Sequence, residues 1–276
     1  MKKCIFLLAI LMLALLPEVN SQTYVRVDKI VAEYPAQASK LTDITNLINR
    51  DFSLAEERAR AVYYWIAHHI AYDVKATSSL QARISYTSEE QKKAKELKIR
   101  NKWAKKCMEA GKAECEGYAT LYKCMCDLVS VPCIIIPGNV KRSEDDIGNS
   151  NLKINHAWNA VQINGEWKIV DVTWAAGYID YSTRTFYPAF DDIYFLTEPE
   201  RYVYNHFPAD TNYVFADFTK QQYIDFPFFY SEYIDKDYEF IEPKTGILKI
   251  KGNNRVTFKV KSEKGMDHLW YSFDEE

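Results

Sequence analysis

Apolar residues recur at helical steps between residues 54 and 70. Ala59, Val62, Tyr63, Ile66 and Ile70 follow at three- and four-residue intervals, while Glu56, Glu57, Arg58 and Arg60 fall on other faces. The pattern predicts an amphipathic helix with Ser53 as N-cap and Glu56 in the capping-box position. A second stripe joins Cys115, Tyr118, Leu121, Tyr122, Met125, Leu128 and Val129. It predicts a buried helix with Cys115 on the inward face, ended by Val131-Pro132. Between them, residues 88 to 109 are lysine-rich and made mostly of strong helix formers, with Ser88 as the cap. That composition reads as a solvated helix, placed where a lid over the Cys115 segment would sit.

Extended patterns follow. Cys133 to Ile136 reads as a short buried strand closed by Pro137-Gly138, and residues 139 to 153 as a polar loop. Residues 154–163 and 166–174 flank Asn164-Gly165, the preferred pair for a type I′ hairpin turn. Residues 180 to 235 are aromatic without a clean period. The runs at 246–250, 255–260 and 268–273 read as strands of a small β appendage, residues 236–276, too short for an immunoglobulin-like sandwich of about 100 residues.

The amino terminus changes the compartment. Lys2 and Lys3 precede an apolar run from Ile5 to Leu16, broken at Pro17. This reads as a signal peptide, residues 1–21, cleaved near Ser21-Gln22, and as too short for a permanent membrane span. Cys4 lies before the run, so it is not placed to become a lipidated first residue. The expected product is exported, periplasmic or secreted, with one large domain over residues 22–235. The formal charge of −3 becomes about −4 without the leader, which gives no reason to expect nucleic acid as a partner.

Five cysteines would remain: Cys107, Cys115, Cys124, Cys126 and Cys133. An oxidising compartment permits disulfides, and an odd count leaves at least one thiol unpaired in a monomer. Cys124-x-Cys126 lacks a second ligand pair at zinc spacing. His68 and His69 point about 100° apart on a helix and cannot chelate one ion together. No cofactor or metal is called for.

The chemistry concentrates in three strings: Glu114-Cys115-Glu116-Gly117, Asn155-His156-Ala157-Trp158, and Val170-Asp171-Val172-Thr173. A thiolate needs a base, and the base needs an acceptor that fixes its tautomer. With Asn164-Gly165 as the turn, Trp158 pairs with Asp171 and His156 with Thr173. All four then share one sheet face, and Asp171 is the diagonal neighbour of His156. Cys115 falls at a helix start, where backbone amides favour an anion. Glu114 and Glu116 are expected to point away from it, and Gly117 to permit close approach of backbone or substrate. An oxyanion would be held by the Cys115 N–H and a second donor.

The strings Cys-Glu-Gly-Tyr-Ala at 115–119, His-Ala-Trp at 156–158 and Asp-Val-Thr-Trp at 171–174 resemble the transglutaminase-like superfamily. Trp65-Ile66 through Ile70-Ala71-Tyr72-Asp73, Tyr194 to Pro199 and His206-Phe207-Pro208 are similar to its branch related to kyphoscoliosis peptidase. The resemblance covers about residues 55 to 210. It implies an α+β, papain-like core whose nucleophile helix packs on an antiparallel sheet, with Cys115 as nucleophile, His156 as base and Asp171 as its orienter. The connection at about 75 to 106 is longer than usual for the family, and Trp103 is a candidate second oxyanion donor. The resemblance implies an enzyme acting on protein or peptide amides, by hydrolysis or by transfer to an amine. A binding module of the cell envelope with an idle triad is the rival class.

Overall fold

The structure is a computed structural model, and the residues it describes are 16–75, 87–230, 239–249 and 255–262. Helices α1 (Leu16–Val31), α2 (Leu41–Asp51) and α3 (Ala55–His69) lead. Strand β1 (Ala71–Tyr72), helix α4 (Glu89–Ala110), strand β2 (Lys112–Ala113) and helix α5 (Cys115–Leu128) follow. Then come β3 (Cys133–Val140), β4 (His156–Ile163), β5 (Glu166–Val170), the short α6 (Val172–Ala176), β6 (Gly177–Asp180) and β7 (Thr185–Pro188). The chain continues through β8 (Phe195–Thr197), α7 (Pro199–Tyr202), β9 (His206–Pro208), α8 (Lys220–Asp225), β10 (Glu239–Glu242) and β11 (Lys259–Lys261). Helices and an antiparallel sheet of order β8-β5-β4-β3-β9 make this an α+β fold. Two compact units divide the chain: residues 1–135 with 157–195, and residues 136–156 with 196–276.

In the first unit, α3 is buried almost all round. Ala59, Val62, Tyr63 and Ile66 lie in the core as the periodicity requires. Glu57 and Arg60 are buried too, at 6% and 1% exposure, although their charge suggested outward faces. Their partners explain the difference. Arg60 forks onto Asp28 of α1 at 2.8 and 2.6 Å and reaches Asp192 at 2.5 Å. The rings of Tyr24, Tyr63, Phe190 and Phe195 surround its guanidinium at 5.0–5.4 Å. Glu57 pairs with Arg26 and takes the Leu54 N–H at 3.4 Å. The N-cap is therefore Leu54 and not Ser53, and Glu57 fills the position expected of Glu56.

Helix α4 begins as expected, with the Ser88 hydroxyl accepting from the Gln91 N–H at 3.2 Å. It ends on Gly111 in the left-handed conformation (φ 61°), a common helix stop. Only Ala104, Cys107 and Met108 are buried along it, so most of the helix is solvated. In α5 one expected core residue fails: Leu128 is 44% exposed. It lies ten residues beyond Tyr118, about 80° round the helix, at the edge of the stripe.

The hairpin forms in the expected register. Asn164 and Gly165 both take positive φ, 52° and 88°, as a type I′ turn demands. Asn159 pairs with Val170, and Ile163 with Glu166. The second strand, however, stops at Val170 and not at 174, because Asp171 caps α6. Strand β3 runs past Pro137-Gly138 to Val140. Proline has no N–H to lose there, and its carbonyl accepts from Ala209 at 2.9 Å.

In the second unit, β3 and β9 pair Gly138 with Pro208 and Val140 with His206. Buried Lys141 donates to the carbonyls of Tyr223 and Phe226, closing the end of α8. The Asn205 side chain exchanges hydrogen bonds with the Phe229 backbone. Further along, β10 and β11 pair antiparallel, Glu239 with Lys261 and Phe240 with Val260. Residues 246–249 are not a strand, and the strand expected over 255–260 begins only at Lys259. The run at 268–273 and most of the expected leader, residues 1–15, lie outside the described residues, while α1 runs through Ser21-Gln22. Among the described residues no helix is long and apolar enough to cross a membrane.

Removing Arg60 would leave Asp28 and Asp192 without their shared cation. Arg60→Ala is expected to lower unfolding stability by about 1.5–3 kcal/mol, measured by urea denaturation, with Arg60→Met losing less. Equal stability of the alanine variant and the parent would refute this account of the buried guanidinium.

Candidate active site

Cys115 is the first residue of α5, and the turn before it is built to place it there. Parallel pairing of β1 with β2 sets Tyr72 beside Ala113, two residues upstream. Glu114 then caps the helix, its Oε2 accepting the Glu116 N–H at 3.3 Å. The same oxygen accepts the Cys115 thiol at 3.4 Å, and Glu114 is only 9% exposed. This corrects the expectation that Glu114 points away, since a carboxylate that caps a helix is held where its first side chain begins. Glu116 is half-buried; burial, then the charge of Glu114, pushes its carboxyl up to about 8.

Gly117 is required by the protein itself. A Cβ there would meet Ala113 Cβ at 2.7 Å and Cys107 Sγ at 2.9 Å, so the first turn of α5 packs against β2 and α4. All five cysteines in the described residues are free thiols, and Cys115 alone is not buried. Burial pushes the Cys107 and Cys124 thiols up to about 11.

Asn159, 1% exposed on β4, fastens α5 to the sheet. Its side-chain amide donates to the Ala119 carbonyl at 3.0 Å and the Ile134 carbonyl at 3.1 Å. Asp171 is completely buried in the same unit. Its Oδ1 accepts the Thr173 and Trp174 N–H groups at 3.0 and 3.2 Å, while its own N–H donates to Tyr194 at 2.9 Å. Thr173 therefore sits in α6, not on a strand opposite His156 as the hairpin pattern suggested.

His156 opens β4 and belongs to the second unit, 6% exposed. Its ring centroid lies 5.8 Å from that of His206, which is 1% exposed and stacked on Tyr202 at 3.8 Å. In the sequence His206 stands only within a family-like string, and a three-residue strand carries no period from which to read its neighbour. His68 and His69 each bond the carbonyl four residues back, Tyr64 at 2.9 Å and Trp65 at 2.7 Å, which occupies their Nδ1 atoms with helix contacts. Trp103 is half-buried on α4.

A helix-and-antiparallel-sheet domain that exposes one thiol at the start of a buried helix is the general class. Its family is more specific: residues 42–172 match the Transglutaminase-like superfamily and form a transglutaminase-like domain. Kyphoscoliosis peptidase of Mus musculus is 31% identical over 209 residues, covering 75% of this chain and 29% of that protein. The Homo sapiens kyphoscoliosis peptidase is 28% identical over 242 residues, covering 86% of this chain and 34% of that protein. The chain thus spans about a third of the length of these relatives. A crystal structure of a TGase aligns over 60% of this chain and 35% of its own, at 16% identity and a TM-score of 0.29.

Two predictions follow from the glutamates. The raised Glu116 carboxyl keeps its proton in the folded chain between its ordinary value of 4.5 and about 8, while the unfolded chain has lost it. Its contribution is thus complete below about 4.5 and fades as pH rises to about 8. Glu116→Gln should flatten the fall in stability across that window, read from melting curves at a series of pH values; an unchanged slope would show that Glu116 titrates normally. Glu114→Gln keeps a capping oxygen but removes the negative charge beside Sγ. Iodoacetamide should then alkylate Cys115 several-fold faster at pH 7, and a slower reaction would contradict the opposing-charge account.

Proposed function

We propose that this chain is an exported cysteine-dependent enzyme that cleaves amides of proteins or peptides through a thioester on Cys115. The observation that carries the reading is that, among the described residues, Cys115 at the start of α5 is the one thiol not buried, inside a transglutaminase-like domain, while the other four are buried. In this scheme Cys115 Sγ attacks the carbonyl carbon and its proton passes to His156. The imidazolium returns that proton to the leaving amine as the C–N bond breaks. Water then attacks the thioester, His156 takes its proton, and the acid leaves as the thiol is restored. Asp171 orients the imidazole and stabilises its charged form.

Two features support these roles. The register pairing Asn159 with Val170 sets Trp158 opposite the Asp171 position, in the parity on which the triad geometry depends. Asp171 is also anchored by three backbone hydrogen bonds, and with Oδ1 committed to the α6 cap, Oδ2 is the oxygen proposed for the imidazole. Export, with cleavage near Ser21-Gln22, is supported by Lys2, Lys3 and the apolar run after them. The protein or peptide substrate follows from the family resemblance.

The test is iodoacetamide labelling of the purified protein at neutral pH with site assignment by mass spectrometry. Cys115 should react far faster than Cys107, Cys124, Cys126 or Cys133, and His156→Ala should abolish that preference. Equal labelling of all five cysteines in the folded protein would sink the reading. A glutamine-containing dipeptide offered with excess primary amine should yield mainly free acid; a dominant amine adduct would reassign the chain to acyl transfer.

A further inference from the structure

Resting on the acyl-transfer reading above, an oxyanion formed at Cys115 needs two donors, and the Cys115 N–H is one. We propose that the hydroxyl of Tyr72 is the other, making Tyr72 a catalytic residue of this chain.

Three structural constraints bring the phenol there. Tyr72 pairs with Ala113 in the β1–β2 ladder, and the Asp73 N–H reinforces that pairing by donating to the Ala113 carbonyl at 2.8 Å. The ring stacks on Tyr118, one helical turn beyond Cys115, with centroids 6.4 Å apart and planes at 18°. Tyr118 is itself tied by its hydroxyl to the Ile70 carbonyl, two residues before Tyr72. Ala113, the pairing partner of Tyr72, lies two residues before Cys115, so strand pairing and ring stacking both bring the phenol to the start of α5.

The phenol keeps its proton in this place. Burial, then the charges of Cys115 and Glu114, push it well above the ordinary tyrosine value. A protonated phenol can donate, and it cannot add a further negative charge beside the thiolate. When Sγ attacks a carbonyl, the C=O π pair moves onto oxygen. That oxygen accepts the Cys115 N–H, and the Tyr72 hydroxyl donates the second hydrogen bond. Collapse of the adduct returns the pair to C=O and expels the leaving group, leaving the thioester on Cys115. Tyr72 accepts no proton and loses none. Trp103, on the solvated α4, is not needed for this step.

The experiment compares two reagents on the full chain. 4-Nitrophenyl acetate acylates Cys115 through a tetrahedral oxyanion and releases 4-nitrophenolate. Iodoacetamide alkylates the same sulfur by displacement of iodide, with no oxyanion. Tyr72→Phe keeps the ring on Tyr118 and removes only the hydroxyl. It is expected to slow acylation by about 100–1,000-fold, the range for loss of one oxyanion donor, while alkylation stays within about threefold of the parent. Acylation that is unchanged, or faster because the phenol had been blocking the site, overturns the proposal. So does an equal loss in both reactions, which would mean that the variant disturbs the thiol or the fold. Failure of the parent to release 4-nitrophenolate in a Cys115-dependent way is a different result: it removes the acyl-transfer reading itself, whatever Tyr72→Phe does.

Discussion

A single buried amide sets the position of helix α5. The Asn159 NH2 group has two protons, and both are used, one on the Ala119 carbonyl of α5 and one on the Ile134 carbonyl of β3. Two carbonyl acceptors fix which way the amide faces, because its oxygen could bond neither. Ala119 is four residues from Cys115, about one turn and 6 Å along the helix. Fixing the height of that carbonyl over the sheet therefore fixes the height of Sγ. The arrangement has a cost: Asn159 Oδ1 is buried without a hydrogen-bond partner, a penalty of about 1–3 kcal/mol. Leucine would avoid the penalty and release the helix, so the polar residue makes sense as a positioning device.

Arg60 does corresponding work elsewhere in the first unit. It joins α1 to α3 through Asp28 and reaches Asp192 in the segment that precedes β8. Two residues further on, Tyr194 accepts the Asp171 N–H and packs edge-on against Trp174 at 5.6 Å. The backbone that holds Asp171 is thus only two residues from a buried ion-pair network. Buried pairs of this kind seldom improve on a well-packed apolar core in raw stability. Three elements converge on one guanidinium fork that accepts few other geometries, and this favours a role in fixing the segment before β8.

What the sequence made legible was local. The two-residue Asn164-Gly165 turn defined the hairpin register to the residue, and the cap at Ser88 defined the start of α4. Information carried by distant partners was not legible. Arg60 reads as an outward residue until Asp192, 132 positions later, is seen beside it. The end of β5 was missed because Val170 to Trp174 suits a strand by composition, while Asp171 followed two residues later by Thr173 also suits a helix cap. The backbone hydrogen bonds of the cap prevailed over β propensity. Glu114 was misjudged for a related reason: its side chain was considered only as a charge near a thiol, when its first duty is to satisfy the amide of Glu116.

That duty creates the electrostatic problem of the site. A helix start offers an anion roughly half a unit of positive charge, spread over several amides. Glu114 sets a full negative charge 3.4 Å from Sγ, and at so short a range the nearer, larger charge dominates. The second glutamate does not double the difficulty. Half-buried Glu116 keeps its proton to about pH 8, because burial disfavours its charged form and the charge of Glu114 adds to that penalty. The turn before α5 thus satisfies its amides with one charge and leaves the other side chain neutral under ordinary conditions. On the proposed chemistry, the helix start is then opposed by Glu114 at the sulfur itself. The missing stabilisation must come from a cationic partner, which is the part assigned to His156 once it has taken the thiol proton.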